Sequence, residues 1–304
     1  MMAGLQDILS QGTIKSLQNA KMANGQSYFD YANTVVSSSN ILSDAINTYS
    51  KSIDAGTSYA IDNTVPNRAN GTVSSPQDGL AQTTLFADPS TGQLNVDITI
   101  GNKFISSSNP NSIVDPNSFV QTLVHELGHF MNAQSDTQTY QGDIKSYFSS
   151  ASQPNSDALT GILFYDLNMR EGKAMLFSVQ VRDQVFQNTN VQNGSSLDIG
   201  VDNTPVGWSL PQLYSQIQSL GAQSGWSQQN TDAAAAQAFA SLNMDNTDSQ
   251  PTFPIWTDHP PKFDGIVANF IAVVYPKVAV PGKGALGFNG QPTFSLHFGQ
   301  SPSL

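Results

Sequence analysis

Apolar residues between Phe119 and Met131 recur at intervals of three and four, which is the spacing of an amphipathic helix. Asp115-Pro116 stands directly ahead of this stretch and is typical of a helix start with proline in the first turn. The apolar positions are Phe119, Val120, Leu123, Val124, Leu127, Phe130 and Met131. We expect this stripe to pack in the core and to leave the rest of the helix surface for other roles.

Similar spacing predicts several more helices along the chain. A second long helical stretch covers residues 159–186, and we expect it to break or kink near Gly172 because glycine weakens a helix interior. A further amphipathic helix is predicted from Phe263 to Val274, with Pro260 and Pro261 at its start. The other helices are expected within residues 1–62, 211–220 and 231–242.

Strict alternation of apolar and polar residues over Leu94–Ile100 predicts a β-strand. A turn at Asp88–Gly92 would join it to a strand that begins near Thr83, as a hairpin. We therefore expect an α+β fold that is mostly helical, with one small sheet. The predicted organisation is an N-terminal helical segment (1–62), a main domain (63–277) and a Gly- and Pro-rich tail (278–304).

The composition excludes several classes of function. Only 12% of the residues are charged and the net charge is −11, so binding to nucleic acid or to an anionic membrane surface is not expected. No apolar stretch is long enough to span a bilayer, so no transmembrane segment is expected. The chain has no cysteine, which excludes thiol catalysis and Cys-based metal sites.

The strongest motif is His125-Glu126-Leu127-Gly128-His129, which matches HExxH and lies within the predicted helix. A spacing of four residues places both imidazoles on one helical face, where they can chelate one Zn²⁺. Glu126 is then beside the metal without binding it, and can act as the general base toward a water molecule. With four His and two Glu in 304 residues, the number of HExxH matches expected by chance is well below about 0.001.

A catalytic zinc site needs a third protein ligand. Glu171 is the favoured candidate, because it and Glu126 are the two glutamates of a chain whose other acidic residues are all aspartate. Asp136 and Asp166 are the alternatives, and both stay open at this point.

HELGH on one helix and a downstream Arg170-Glu171-Gly172-Lys173-Ala174 segment resemble the gluzincin-type zinc metallopeptidases. The resemblance implies a zincin-like core in which His125, His129 and Glu171 hold Zn²⁺ and Glu126 is the catalytic base. It also implies that an edge strand ahead of the active-site helix pairs with the extended substrate, and Leu94–Ile100 is the candidate strand.

His259 is a second catalytic candidate, as a group that stabilises the oxyanion. Asp258-His259-Pro260-Pro261 resembles the His-Pro segment of CAAX-prenyl-endopeptidase-like zinc peptidases, although Gly265-Ile266 stands where those families have an Arg-Ile pair. The alternative is that Asp258 caps the following helix and His259 has no catalytic role. Tyr140 and Tyr165 could also donate to an oxyanion, whereas we expect His297 to be structural.

These features predict a zinc-dependent endopeptidase that acts on a polypeptide substrate. The alternatives are a zinc hydrolase that acts on cell-wall peptides, and a non-catalytic binding protein on a zincin scaffold. Scarce Lys and Glu with no Cys suit an exported bacterial protein, and the N-terminus lacks the pattern of a signal peptide, so we expect non-classical secretion, with the cytoplasm as the alternative. The sequence makes no prediction of the oligomeric state.

Overall fold

The structure is a computed structural model that describes residues 3–62, 66–67, 72–73, 81–87, 94–100, 116–150, 156–193, 197–201 and 210–248. Most of these residues are helical, and the strands form two antiparallel two-stranded ribbons, β1–β2 and β3–β4. The elements are α1 Leu5–Ile8, α2 Gln11–Asn19, α3 Tyr28–Ser37, α4 Asn40–Asp54, β1 Pro66–Asn67, β2 Thr72–Val73, β3 Ala81–Ala87, β4 Leu94–Ile100, α5 Pro116–Ser150, α6 Ser156–Asn193, α7 Leu210–Ser224 and α8 Gln228–Asp248. A mostly helical α+β architecture agrees with the expectation from the sequence.

The chain divides into two compact units. The first unit combines Met1–Ala133 with Gln180–Val201, and the second combines Gln134–Val179 with Asp202–Leu304. The helices α5 and α6 each contribute residues to both units. The three-part organisation predicted from the sequence (1–62, 63–277 and 278–304) stays a prediction.

Serine caps define the helices of the N-terminal part. The side chains of Ser10, Ser27 and Ser39 each accept a hydrogen bond from a backbone N–H in the first turn of α2, α3 and α4, at 3.0 to 3.2 Å. The helices bury an apolar face, and Tyr49 of α4 contacts Phe130 of α5 edge to face, with 4.7 Å between ring centroids. Within the first unit, this contact packs the N-terminal part of α5 against α4.

The strand pairing predicted over Thr83–Ile100 is confirmed, since β3 and β4 pair in register from Ala81 opposite Ile100 to Ala87 opposite Leu94. The turn predicted at Asp88–Gly92 lies outside the described residues. The other side of β4 also has partners, because the backbone N–H groups of Val96 and Ile100 donate to the carbonyl oxygens of Thr57 and Asp62. The expectation that Leu94–Ile100 is the edge strand is therefore wrong. In the described part of the chain, β3 is the outer strand of this sheet.

Helix α5 begins at Pro116, as the Asp115-Pro116 pair predicted, and extends for 35 residues to Ser150. Five members of the predicted apolar stripe, from Phe119 to Leu127, are buried. Met131 departs from the prediction, because its side chain is 43% exposed. The buried stripe leaves the histidines of the motif on a different, partly exposed part of the helix surface.

Helix α6 continues through Gly172, so a break there is wrong, and the alternative of a kink stays a prediction. A β-carbon at position 172 would lie 2.6 Å from the backbone nitrogen of Ala240 and 2.9 Å from its β-carbon. Gly172 therefore serves a close approach between α6 and α8 and does not end the helix. The predicted helices 211–220 and 231–242 correspond to the longer α7 and α8. Within the described ranges, no helix combines the length and the hydropathy that crossing a bilayer requires.

Candidate metal centre

The two histidines of the HExxH motif lie one turn apart on α5, and both are partly buried. Their Nε2 atoms are 3.2 Å apart, and their rings are nearly perpendicular, at 87°. Two nitrogens that each bind a tetrahedral Zn²⁺ at about 2.0 to 2.1 Å are separated by about 3.3 Å. The observed spacing therefore suits two ligands of one metal ion.

Glu171 completes a group of three possible ligands. His125, His129 and Glu171 each offer one ligand atom, and these atoms all lie within 4.8 Å of one another. Among the residues that the structure describes, this is the group of histidine and carboxylate side chains that could hold a metal ion. Two imidazole nitrogens and one carboxylate oxygen form a donor set that Zn²⁺ accepts.

Asp136, the first alternative for the third ligand, has a different partner. Its carboxylate forms an ion pair with the ammonium group of Lys173, and its side chain is only 4% exposed. A cation already balances the charge of this buried aspartate. Asp136 is therefore engaged in a contact between α5 and α6 within the second unit.

Asp166, the second alternative, is also buried on α6, and neither of its carboxyl oxygens accepts a hydrogen bond from a described residue. Burial, together with the nearby carboxylate of Asp143, raises the pKa of Asp166 to about 6, and the guanidinium of Arg170 opposes the shift. Arg170 also lies over the ring of Tyr140, 5.9 Å from its centroid. The α5–α6 polar cluster, as we call it, consists of Tyr140, Asp143, Asp166 and Arg170 with the Asp136–Lys173 pair.

Glu126, the predicted base, is a buried residue with 6% of its surface exposed. The hydroxyl of Thr83 on β3 donates a hydrogen bond to its Oε2 at 2.5 Å, and the same hydroxyl lies 3.3 Å from the backbone carbonyl oxygen of Glu126. Sequence reasoning missed Thr83. The one signal in the sequence is that Thr83 is a hydroxyl residue in a predicted strand. In the structure its partner on β4 is the buried, apolar Ile98.

The structure places the remaining sequence candidates as follows. Tyr140 contacts Arg170, and the hydroxyl of Tyr165 lies 3.3 Å from the side-chain amide nitrogen of Gln237 on α8. His259 and His297 lie outside the described residues, as does the helix predicted after Pro261. The roles of His259, Tyr140 and Tyr165 at an oxyanion stay predictions, as does a structural role for His297.

Comparison with protein families, curated proteins and solved structures gives no match to this chain. The interpretation of the site therefore depends on its own geometry and chemistry. What the residues show directly is a His-His-Glu group at metal-binding distance, with a buried glutamate next to the first histidine in sequence.

Proposed function

We propose that this protein is a zinc-dependent endopeptidase with a zincin-like core of the gluzincin type. The observation that carries the proposal is the convergence of His125, His129 and Glu171, whose possible ligand atoms lie within 4.8 Å of one another. Histidines at this spacing on one helix, with the third ligand on another helix, form the donor set of a catalytic zinc site. The second supporting feature is Glu126, which directly follows the first ligand.

In the proposed reaction, a bound Zn²⁺ would supply Lewis-acid activation of a water molecule and polarisation of the scissile carbonyl. Glu126 accepts a proton from the attacking water, and then returns it to the leaving amine as the peptide bond breaks. The hydrogen bond from Thr83 fixes one oxygen of this carboxylate. His125, His129 and Glu171 would hold the ion through two imidazole nitrogens and one carboxylate oxygen.

We further propose that the substrate is an extended polypeptide that pairs with β3. Backbone pairing to an exposed strand edge recognises extended chains with little dependence on their sequence. The structure favours β3 over β4 for this role, because β4 is paired on both sides and β3 contacts Glu126 through Thr83.

The test is to measure zinc per chain by elemental mass spectrometry for the wild type, Glu171→Ala and the matched control Asp166→Asn. We expect about one zinc in the wild type and the control, and a loss in Glu171→Ala, because two histidines alone bind zinc weakly. Hydrolysis of an unfolded protein should stop in excess chelator and return with added zinc. Loss of zinc in Asp166→Asn with retention in Glu171→Ala would reverse the ligand assignment.

The same preparations separate the proposed reaction from its alternatives. Cleavage of cell-wall peptides with no cleavage of proteins would favour a cell-wall hydrolase. A chain that holds zinc and hydrolyses neither class would favour a binding protein on the same scaffold.

A further inference from the structure

Thr83 makes a contact that packing alone does not require. Thr83 is directly opposite Ile98 in the β3–β4 ladder, so the two side chains share a face of the ribbon. Ile98 and its neighbours on that face, Val96 and Ile100, are at most 5% exposed. A valine would suit this apolar face and the strand equally well. The hydroxyl that threonine carries in place of a valine methyl group has Glu126 as its hydrogen-bond partner.

The hydrogen bond between Thr83 and Glu126 belongs to a strong class of hydrogen bond. A hydroxyl that donates to a carboxylate forms a charge-assisted hydrogen bond, which is shorter and about twice as strong as a neutral one. The Thr83 Oγ1 to Glu126 Oε2 distance of 2.5 Å is at the short end of that range. Because Glu126 is only 6% exposed, bulk water competes poorly for the same oxygen.

We propose that Thr83 is a positioning residue for Glu126, and this role depends on the proposed peptidase function. With Oε2 held by Thr83, proton transfer to and from the substrate falls to Oε1, and the side chain keeps one rotamer through the reaction. A glutamate side chain otherwise has three rotatable torsions, and ordering it during each turnover would slow the reaction. Because Thr83 belongs to the outer strand, the strand proposed to bind substrate also orients the base.

The experiment compares Thr83→Val with Thr83→Ser in the full-length, zinc-loaded chain. Valine keeps the shape and the strand propensity but removes the hydroxyl, whereas serine keeps the hydroxyl. We expect Thr83→Val to lower kcat about 10- to 100-fold with KM within about twofold, the range of one oriented catalytic interaction. In the separate variant Thr83→Ser, kcat should stay within about threefold of the wild-type value, because the hydroxyl is kept.

Thr13→Val is the control, because Thr13 is a buried threonine whose hydroxyl bonds to Ser10 and to the carbonyl of Ile61, apart from the HExxH segment. It should leave kcat within about twofold and report the structural cost of losing a buried threonine hydroxyl. Zinc per chain should stay at about one in all three variants. A Thr83→Val enzyme with the kcat of the control, or one that loses zinc in step with activity, would overturn the role.

A second measurement tests the contact without activity. Denaturant unfolding of the metal-free chain is compared for the wild type, Thr83→Val, Glu126→Gln and the double variant. We expect the double variant to deviate about fivefold in its unfolding constant from the product of the single effects, as coupled neighbours do. Additive effects would overturn the contact. A wild type that hydrolyses no substrate would reject the proposed function, so the two failures are distinguishable.

Discussion

Two carboxyl groups of this chain are equally buried and have opposite surroundings. Glu126 on α5 and Asp166 on α6 are each 6% exposed. Glu126 accepts a short hydrogen bond from Thr83, and it lies within a motif whose two histidines can bind a cation. Asp166 accepts no hydrogen bond from a described residue, and the nearby carboxylate of Asp143 repels its charge.

The difference shows that burial alone would not distinguish the base that we propose from another buried carboxyl group. Removing a carboxylate from water is unfavourable unless donors or cations replace the water. The surroundings of Glu126 supply such a donor at one oxygen and leave the group available for chemistry. The surroundings of Asp166 disfavour its charge instead, and its pKa rises to about 6. The raised pKa of Asp166 is therefore compatible with a structural role in the α5–α6 polar cluster.

The largest effect expected from this comparison is on catalysis. Glu126→Gln removes the proton acceptor and keeps the side-chain shape, so kcat should fall by about 10³-fold with zinc still bound. Asp166→Asn makes the same chemical change at an equally buried site, and kcat should stay within about twofold. Steady-state kinetics on one protein substrate checks both variants. Equal losses in the two would mean that the base is not Glu126 alone.

The next effect is on stability, and it tests the pairing of Asp136. Lys173→Met leaves this carboxylate buried without its cation and should lower the free energy of unfolding by about 3 kcal/mol. Asp136→Asn should cost less, because the side chain of Lys173 is 24% exposed and can reach water. Denaturant unfolding of the metal-free chain measures both changes.

Combining the two substitutions is the control for that prediction. The double variant, Asp136→Asn with Lys173→Met, should recover most of the stability lost in Lys173→Met, because neither position then carries a charge without its counterion. A double variant as unstable as the sum of the single variants would mean that the ion pair is not the cause.

Local sequence patterns predicted much of this arrangement. The three- and four-residue spacing from Phe119 to Leu127 fixes which side of α5 is buried, and the HExxH spacing then places both histidines away from that side. Glu171 could be identified by composition, because glutamate is used at so few positions. These are signals carried by neighbouring residues or by residue choice.

The features that the sequence did not predict depend on contacts between distant segments. Alternation predicted β4 as a strand, but its second partner is the segment at Thr57–Asp62, and no local pattern encodes that pairing. Gly172 has the same ambiguity, since a helix break and a close helix contact both select glycine. The Thr83–Glu126 contact spans 43 positions, and a lone threonine in a strand does not indicate it.

The smallest effect is a pH dependence that Asp166 contributes to stability. Its pKa is about 6 in the folded chain and ordinarily 3.8, so between these values the folded state binds more protons than the unfolded state. Stability from this group is therefore full below pH 3.8 and is lost as the pH rises through 6. The loss between pH 4 and pH 7 is about 2 kcal/mol at 1.36 kcal/mol per pKa unit.

Asp166→Asn removes this titration and leaves Asp136, Asp143 and Arg170 in place. We expect the free energy of unfolding of the variant, relative to that of the wild type, to increase as the pH rises from 4 to 7. Denaturant unfolding of the metal-free chains at several pH values measures the difference. Metal-free samples are used because metal binding to the histidines would itself depend on pH. Parallel profiles for the two proteins would mean that Asp166 titrates alike in the folded and unfolded states. Asp166 would then resemble a solvated carboxylate, and its contrast with Glu126 would be lost.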